Sequence, residues 1–140
     1  MKWWSKAPWL GQIFTSIGNY VRRREKGLLG FDMKGHIVIF GNRGAETAAL
    51  IQCLIGDQQS SGTAIILCSQ WTEQNPFPDF IDFVRGELTS QDVMTRAGVK
   101  DAGKIIIHAG TDYESISIAL AVKEIRVQAA ILLVLFGGRA

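Results

Sequence analysis

The sequence predicts an α/β fold, a Rossmann-like doubly wound parallel sheet of strand order 3-2-1-4-5, truncated after strand 5. Three observations carry that expectation. Continuous apolar runs suited to strands buried on both faces recur along the chain, at Ile37-Val38-Ile39-Phe40, Ala64-Ile65-Ile66-Leu67-Cys68 and Ile105-Ile106-Ile107. Segments of helical patterning separate them, so each strand is expected to reach the next through a crossover that keeps the sheet parallel. The first run ends in Gly41-Asn42-Arg43-Gly44 and opens straight into a helix. That strand–turn–helix brings backbone N–H groups and a positive helix end to one point, the usual means of holding a phosphate.

The elements follow in order. Residues 1–26 have helical rather than strand periodicity, with Leu10, Ile13, Phe14, Ile17 and Val21 on one stripe, Trp3, Trp4 and Trp9 before it and Arg22-Arg23-Arg24 closing it. Such a Trp-rich, basic segment suits a membrane interface, and it equally suits a helix that docks on a partner. Glycines at 27, 30 and 35 make 27–35 a linker. Strand 1 is expected over 36–40 and helix A over 45–54, its apolar face formed by Ala48, Ala49, Leu50, Cys53 and Leu54. A polar return loop over 56–62 leads to strand 2 at 63–68. Pro76 and Pro78 forbid a regular helix in the second crossover. Strand 3 follows at 81–85, a helix capped near Thr89 or Ser90 runs to about 97, and Gly98 ends it. Strand 4 is expected at 104–108, helix D at 113–125 with Ile116, Leu120 and Ile125 toward the core, and strand 5 at 129–136.

Composition bounds the function. The 140 residues suffice for one core, a domain over 31–140 preceded by a basic leader over 1–30. The leader holds six basic residues and one acid, while the rest holds nine basic and twelve acidic. The domain itself is therefore net negative, which argues against nucleic-acid binding. Cys53 and Cys68 lie in apolar runs and read as two buried free thiols of a reducing compartment. No window of about 18 apolar residues is present, and the start lacks the pattern of a signal peptide. No metal-ligand spacing, nucleophile elbow or other catalytic motif appears, so neither a metal site nor a catalytic residue is expected.

Strand order reverses between strands 1 and 4, so the ligand crevice should open at their carboxyl ends, where four turns meet. The first comprises Gly41, Asn42, Arg43 and Gly44. Against G-x-G-x-x-G, Arg43 stands at the second glycine and Glu46 at the third. Arg43 has three readings there: a guanidinium for the phosphate, a plug in the site, or a solvated side chain. The second turn carries Ser69 and Gln70 where a ribose-binding carboxylate is usual. The third carries Arg85, Gly86 and Glu87. The fourth carries His108, Ala109, Gly110, Thr111 and Asp112, in which His108 reads as a structural histidine or an acid/base, and Asp112 as a cap for helix D or a ligand contact. The ligands left open are NAD, NADP, ATP or ADP, or another adenine nucleotide.

Three stretches of the chain resemble one family. They are Lys34-Gly35-His36-Ile37-Val38-Ile39-Phe40-Gly41, then Phe83-Val84-Arg85-Gly86-Glu87-Leu88-Thr89 with the run from Asp92-Val93-Met94 to Lys104, and then residues 105–112. Together they resemble the N-terminal Rossmann lobe of regulator-of-potassium-conductance (RCK, or KTN, TrkA-N-like) domains, over about 31–135. The turn Arg85-Gly86-Glu87-Leu88-Thr89 and the helix after it are the most specific part. The resemblance implies a cytoplasmic lobe at the inner face of the cell membrane that senses nucleotides or ions. It implies control of a potassium channel or transporter membrane subunit, and homo-oligomeric assembly. It carries nucleotide contact to Gly41, Gly86, Glu87 and Thr111, while the Pro-containing loop and Ser69 resemble a divergent branch rather than the NAD-binding type. Residues 18–26 with 31–34 are similar to the basic linker that follows the pore's last helix.

Three functions are thus expected to compete. The first is a ligand-sensing regulatory domain for potassium flux, the second an interaction lobe with an empty crevice, and the third a fragment of an NAD(P)-dependent oxidoreductase. The last needs a substrate domain for which the chain has no room.

Overall fold

The computed structural model describes residues 8–135, so Trp3, Trp4 and the end of the expected strand 5 lie outside the described residues. Helices and strands are α1 (Pro8–Glu25), β1 (Ile37–Phe40), α2 (Ala45–Ser61), β2 (Ile65–Ser69), β3 (Asp82–Arg85), α3 (Gln91–Arg96), β4 (Lys104–Ile107), α4 (Asp112–Ile125) and β5 (Ile131–Leu133). A 3-10 turn, Val99–Asp101, precedes β4. The five strands form one parallel sheet in the order β3-β2-β1-β4-β5, as the apolar runs predict.

Side chains alternate across the sheet and build a core on each face. On one face Val38, Phe40, Ile66, Cys68, Ile105 and Ile107 pack under Val93 and Met94 of α3 and Ile118 and Val122 of α4. On the other, Ile39, Ile65, Leu67, Phe83 and Ile106 pack under Ile51 of α2 with Leu50, Leu54 and Ile55. Each fully buried Ile, Leu or Phe stabilises the fold by about 1.5–3 kcal/mol. The register pairs Phe40 with Cys68 and Ile107, and Ser69 with Arg85, so four strands end level at one edge.

Several helical details differ from the sequence reading. Helix α2 runs through Gly56 to Ser61 rather than ending near 54, and it closes on Gly62, whose N–H donates to the Gln58 carbonyl. Residues 57–61, expected as a return loop, continue the helix instead. Ala49 and Cys53 point outward while Thr47 and Ile51 are buried, so only Cys68 is a buried thiol. In α4 the buried positions are Ser115, Ile118 and Val122, and Ile116, Leu120 and Ile125 are exposed. Both helices are apolar on more than one side, so periodicity alone cannot say which stripe faces the sheet.

The segment after α1 is tied to the lobe. The Gly27 carbonyl accepts from the Arg85 N–H at 2.9 Å and from Arg96 Nη1 at 2.6 Å, and Phe31 N–H donates to the Arg96 carbonyl at 2.8 Å. Phe31 and Met33 then pack against the first core. At the opposite end of β1 from the turn, His36 is buried and donates from Nε2 to the Ala97 carbonyl at 2.8 Å.

Candidate functional site

The level strand ends bring the four turns together. Gly41 N–H donates to the Cys68 carbonyl at 2.8 Å, His108 N–H to the Phe40 carbonyl at 2.8 Å, and Gly86 N–H to the Ser69 carbonyl at 3.3 Å. Gly41 is buried at φ +102°, and a Cβ there would lie 2.3 Å from the His108 carbonyl oxygen. The first glycine is therefore dictated by how tightly β1 and β4 exit the sheet, before any ligand is considered.

Above Gly41 the turn folds back on its own side chains. Asn42 Oδ1 accepts from the Gly44 N–H at 3.0 Å, and Asn42 Nδ2 donates to Thr72 Oγ1 at 2.9 Å. The Arg43 N–H donates to Thr47 Oγ1 at 2.8 Å. No side chain caps the N-terminus of α2, so its first N–H groups and the positive end of its dipole remain directed at the crevice.

The Arg43 side chain turns across the mouth. Its Nη1 lies 2.5 Å from His108 Nε2 and 3.5 Å from Glu46 Oε2, and Glu46 Oε2 lies 3.5 Å from His108 Nε2. A guanidinium has donors only, so the histidine nitrogen must accept, which places the His108 proton on Nδ1 and leaves the ring neutral. Burial lowers the His108 pKa from its ordinary value and the Arg43 charge lowers it further, with Glu46 opposing. Of the three sequence readings of Arg43, the solvated one is ruled out by this geometry, since the group is bound within the crevice.

The second turn presents Ser69 and Gln70 and no acid. Ser69 is buried, and its hydroxyl is 2.8 Å from Thr72 Oγ1 and accepts from the Thr72 N–H at 3.3 Å. Gln70 is half-buried and accepts at its carbonyl from Arg85 Nε at 3.5 Å. In the third turn Gly86 is held at φ +156° where a Cβ would meet Val93 Cγ2 at 2.7 Å. Glu87 is exposed, and it accepts from Thr89 Oγ1 and, through its carbonyl, from Ser90. In the fourth, the buried Ala109 N–H donates to Ser115 Oγ, Gly110 is exposed, and Thr111 rather than Asp112 caps α4 by accepting from the Glu114 N–H at 3.1 Å. Asp112 is the first residue of α4.

Between the second, third and fourth turns lies a cavity of about 330 Å³ lined by Gln70, Glu87, Leu88, Thr89, Tyr113, Glu114 and Ser117. Tyr113 and Ser117 sit one turn apart on α4, and their role as lining was not read from the sequence. Thr72 was also missed, because its importance comes from bridging Asn42 and Ser69 across the sheet edge. Glu46 and Thr47 could have been found, since they stand three and four residues after Arg43, the spacing at which helical neighbours meet. A larger recess of about 480 Å³ beside α3 shares no residue with the four turns.

Chemically, the turn after β1 gathers groups of the kind that hold anions. An uncapped helix N-terminus, a guanidinium and an exposed Gly44 meet at one place. Ser69 is committed to Thr72, and no acid stands at the end of β2. His108 Nε2 is committed to Arg43. Among the described residues no group of three His, Cys, Asp or Glu side chains could hold a metal ion.

No family model matches the chain. The calcium-gated potassium channel TvoK of Thermoplasma volcanium is 26% identical over 110 residues, 76% of this chain and 30% of that protein. The chain thus spans under a third of the length of that relative. Among solved structures, the GsuK channel bound to NAD matches with a TM-score of 0.61 and 22% identity, over 85% of this chain and 21% of that one. The TrkA-N domain of the inner membrane protein ybaL of Escherichia coli matches at 0.58 and 16%, over 72% and 73%. The Kef C-terminal domain of Shewanella denitrificans in its AMP-bound form matches at 0.54 and 19%, over 69% and 56%. The fold is that of an RCK/TrkA-N-like Rossmann lobe.

Proposed function

We propose that this RCK/TrkA-N-like lobe is a ligand-sensing regulatory domain that biases potassium flux through a channel or transporter membrane subunit, and that it works in a homo-oligomer at the inner face of the membrane. Its ligand is a phosphate-bearing adenine nucleotide whose phosphate lies over Gly41–Gly44 and takes Arg43 away from His108. The observation that carries the reading is the Arg43 guanidinium held over the uncapped end of α2 by His108 and Glu46. It is charge waiting on a displaceable partner. Support also comes from the relatives: one is a calcium-gated potassium channel, and two matched structures hold NAD and AMP.

Ser69 and its lost carboxylate favour a mononucleotide over NAD. The second function, an interaction lobe with an empty crevice, draws on the same contacts, since Arg43 already fills the mouth and two turn N–H groups are satisfied by Asn42 and Thr47. A thermal-shift panel of AMP, ADP, ATP, NAD, NADH, NADP and calcium separates them. A ligand present at about one hundred times its Kd adds roughly 2.7 kcal/mol to native stability. A rise in Tm with a mononucleotide is expected; an unmoved Tm across the panel at millimolar ligand leaves the empty-crevice function standing.

A further inference from the structure

Helix α1 carries an apolar face that the lobe does not cover. Trp9, Ile13, Phe14, Ile17, Tyr20 and Val21 are all exposed, Trp9 at 58% and Phe14 at 66%. At 100° per residue these six fall, with Leu10, within an arc of about 140°. Gln12, Thr15, Ser16, Asn19, Arg22 and Arg23 occupy the opposite side. The hydrogen bonds that join α1 to the lobe start from its last two residues. Arg24 Nε and Nη2 donate to Asp82 Oδ1 at 3.1 and 2.5 Å, and the Glu25 carbonyl accepts from the Asn75 N–H at 2.8 Å. The helix is thus fixed at its C-terminal end, where Arg24, in the middle of the same arc, reaches the lobe, while those six residues, from Trp9 to Val21, stay exposed.

We infer that α1 lies flat in the headgroup layer of an anionic bilayer and fastens the lobe to the membrane surface. No helix among the described residues is long and apolar enough to cross a membrane; one apolar face backed by a polar, basic one is the pattern of helices that lie in the interface plane. Charge selects the bilayer over other occupants. No acid precedes Glu25. Arg22 and Arg23 stand together at the last turn, Arg24 beside them is paired with Asp82, and Lys2, Lys6 and Lys26 flank the segment in sequence. Anionic headgroups complement that array, and each basic residue near such a surface adds about fivefold to binding. Trp and Tyr at the ends of the face, Trp9 and Tyr20, suit the headgroup level. A second copy of α1 would instead oppose like charges. The inference goes beyond the sensing function and is independent of what the crevice takes.

The test is co-sedimentation of the full chain with vesicles of phosphatidylcholine, with and without phosphatidylglycerol. The chain is expected to sediment with the anionic vesicles at low salt, to stay largely in solution with the neutral ones, and to be released as salt screens the attraction. The double variant Phe14→Glu with Ile17→Glu should abolish sedimentation. Arg22→Gln with Arg23→Gln, both exposed on the polar side of the helix, should lower partition about fivefold per arginine while the melting curve stays put. Failure of the unaltered chain to bind anionic vesicles at low salt overturns the inference. So does equal binding by the glutamate variant, and so does a loss of oligomer size in that variant with vesicle binding intact, which would give the face to a second copy.

Discussion

Arg43 Nη1 donates to His108 Nε2 at 2.5 Å and so joins the turn after β1 to the turn after β4 across the crevice. The bond requires a neutral ring, and it ties the most basic group of the site to the residue whose pKa burial and that same charge depress. From it come the first two predictions.

Stability should fall as the solution is acidified through the ordinary histidine range. A native pKa below the unfolded value means that the unfolded chain takes up a proton first, near pH 6.5, while native His108 does not. The contribution of His108 is therefore fully present above about pH 6.5 and is lost progressively below it. Urea midpoints measured from pH 7.5 down to about 5.5 should drop less in His108→Gln than in the unaltered chain. Parallel curves would show that the ring is not held neutral.

Replacing Arg43 by Gln should remove the nucleotide response. A hydrogen bond to a charged group contributes about 1.5–3 kcal/mol, so Kd for AMP should rise by an order of magnitude or more. Calorimetric titration reads it directly. Arg43→Lys should recover only part of the loss, since an ammonium cannot present the fork of a guanidinium.

Glycine substitutions should separate packing from ligand. Gly41→Ala puts a methyl group 2.3 Å from the His108 carbonyl at φ +102° and should cost about 3 kcal/mol or more. Gly44→Ala, at φ +73° with no atom within 4 Å of the added carbon, should cost only about 1–2 kcal/mol. Chemical denaturation of the two variants gives the comparison, and similar losses would mean that β1 and β4 can part more easily than their contacts imply.

Thiol chemistry should be one-sided. Cys53 is exposed on α2 and should react with a thiol reagent in the native state. Cys68 is buried in β2, burial pushes its pKa far up, and it should react only on unfolding. One fast equivalent and one that appears with denaturant is the expected count.

Arg96 should prove structural. Its Nη1 and Nη2 hold the Gly27 and Arg85 carbonyls at 2.6 and 2.7 Å, and its Nε holds Asp92 at 3.0 Å. Arg96→Met should cost about 2–3 kcal/mol and should open residues 26–30 to proteolysis, because the carbonyl acceptors lose a charged donor. Loss of stability without new cleavage would place the effect in α3 alone.

The strand order, the position of the crevice and the irregular second crossover were legible from the chain because they follow from local causes. Apolar runs must be buried on both faces, prolines cannot join a helix, and a strand–Gly–helix sequence marks where the order reverses. The direction of α2 and α4 was not legible. Both carry apolar residues on several sides, and which stripe is covered depends on strands far away in sequence, which chose Ile51 over Cys53 and Ile118 over Ile116. The four turns could be named from sequence, since each follows a strand. What their side chains do could not: Arg43 meets His108 65 residues away, and Ser69 is spent on Thr72. Residue identity fixed the charge and the donors available at the crevice. Only the parallel packing of β1 against β4, which sets two strand ends side by side, decided that the arginine in place of a glycine would be held there by a neutral histidine.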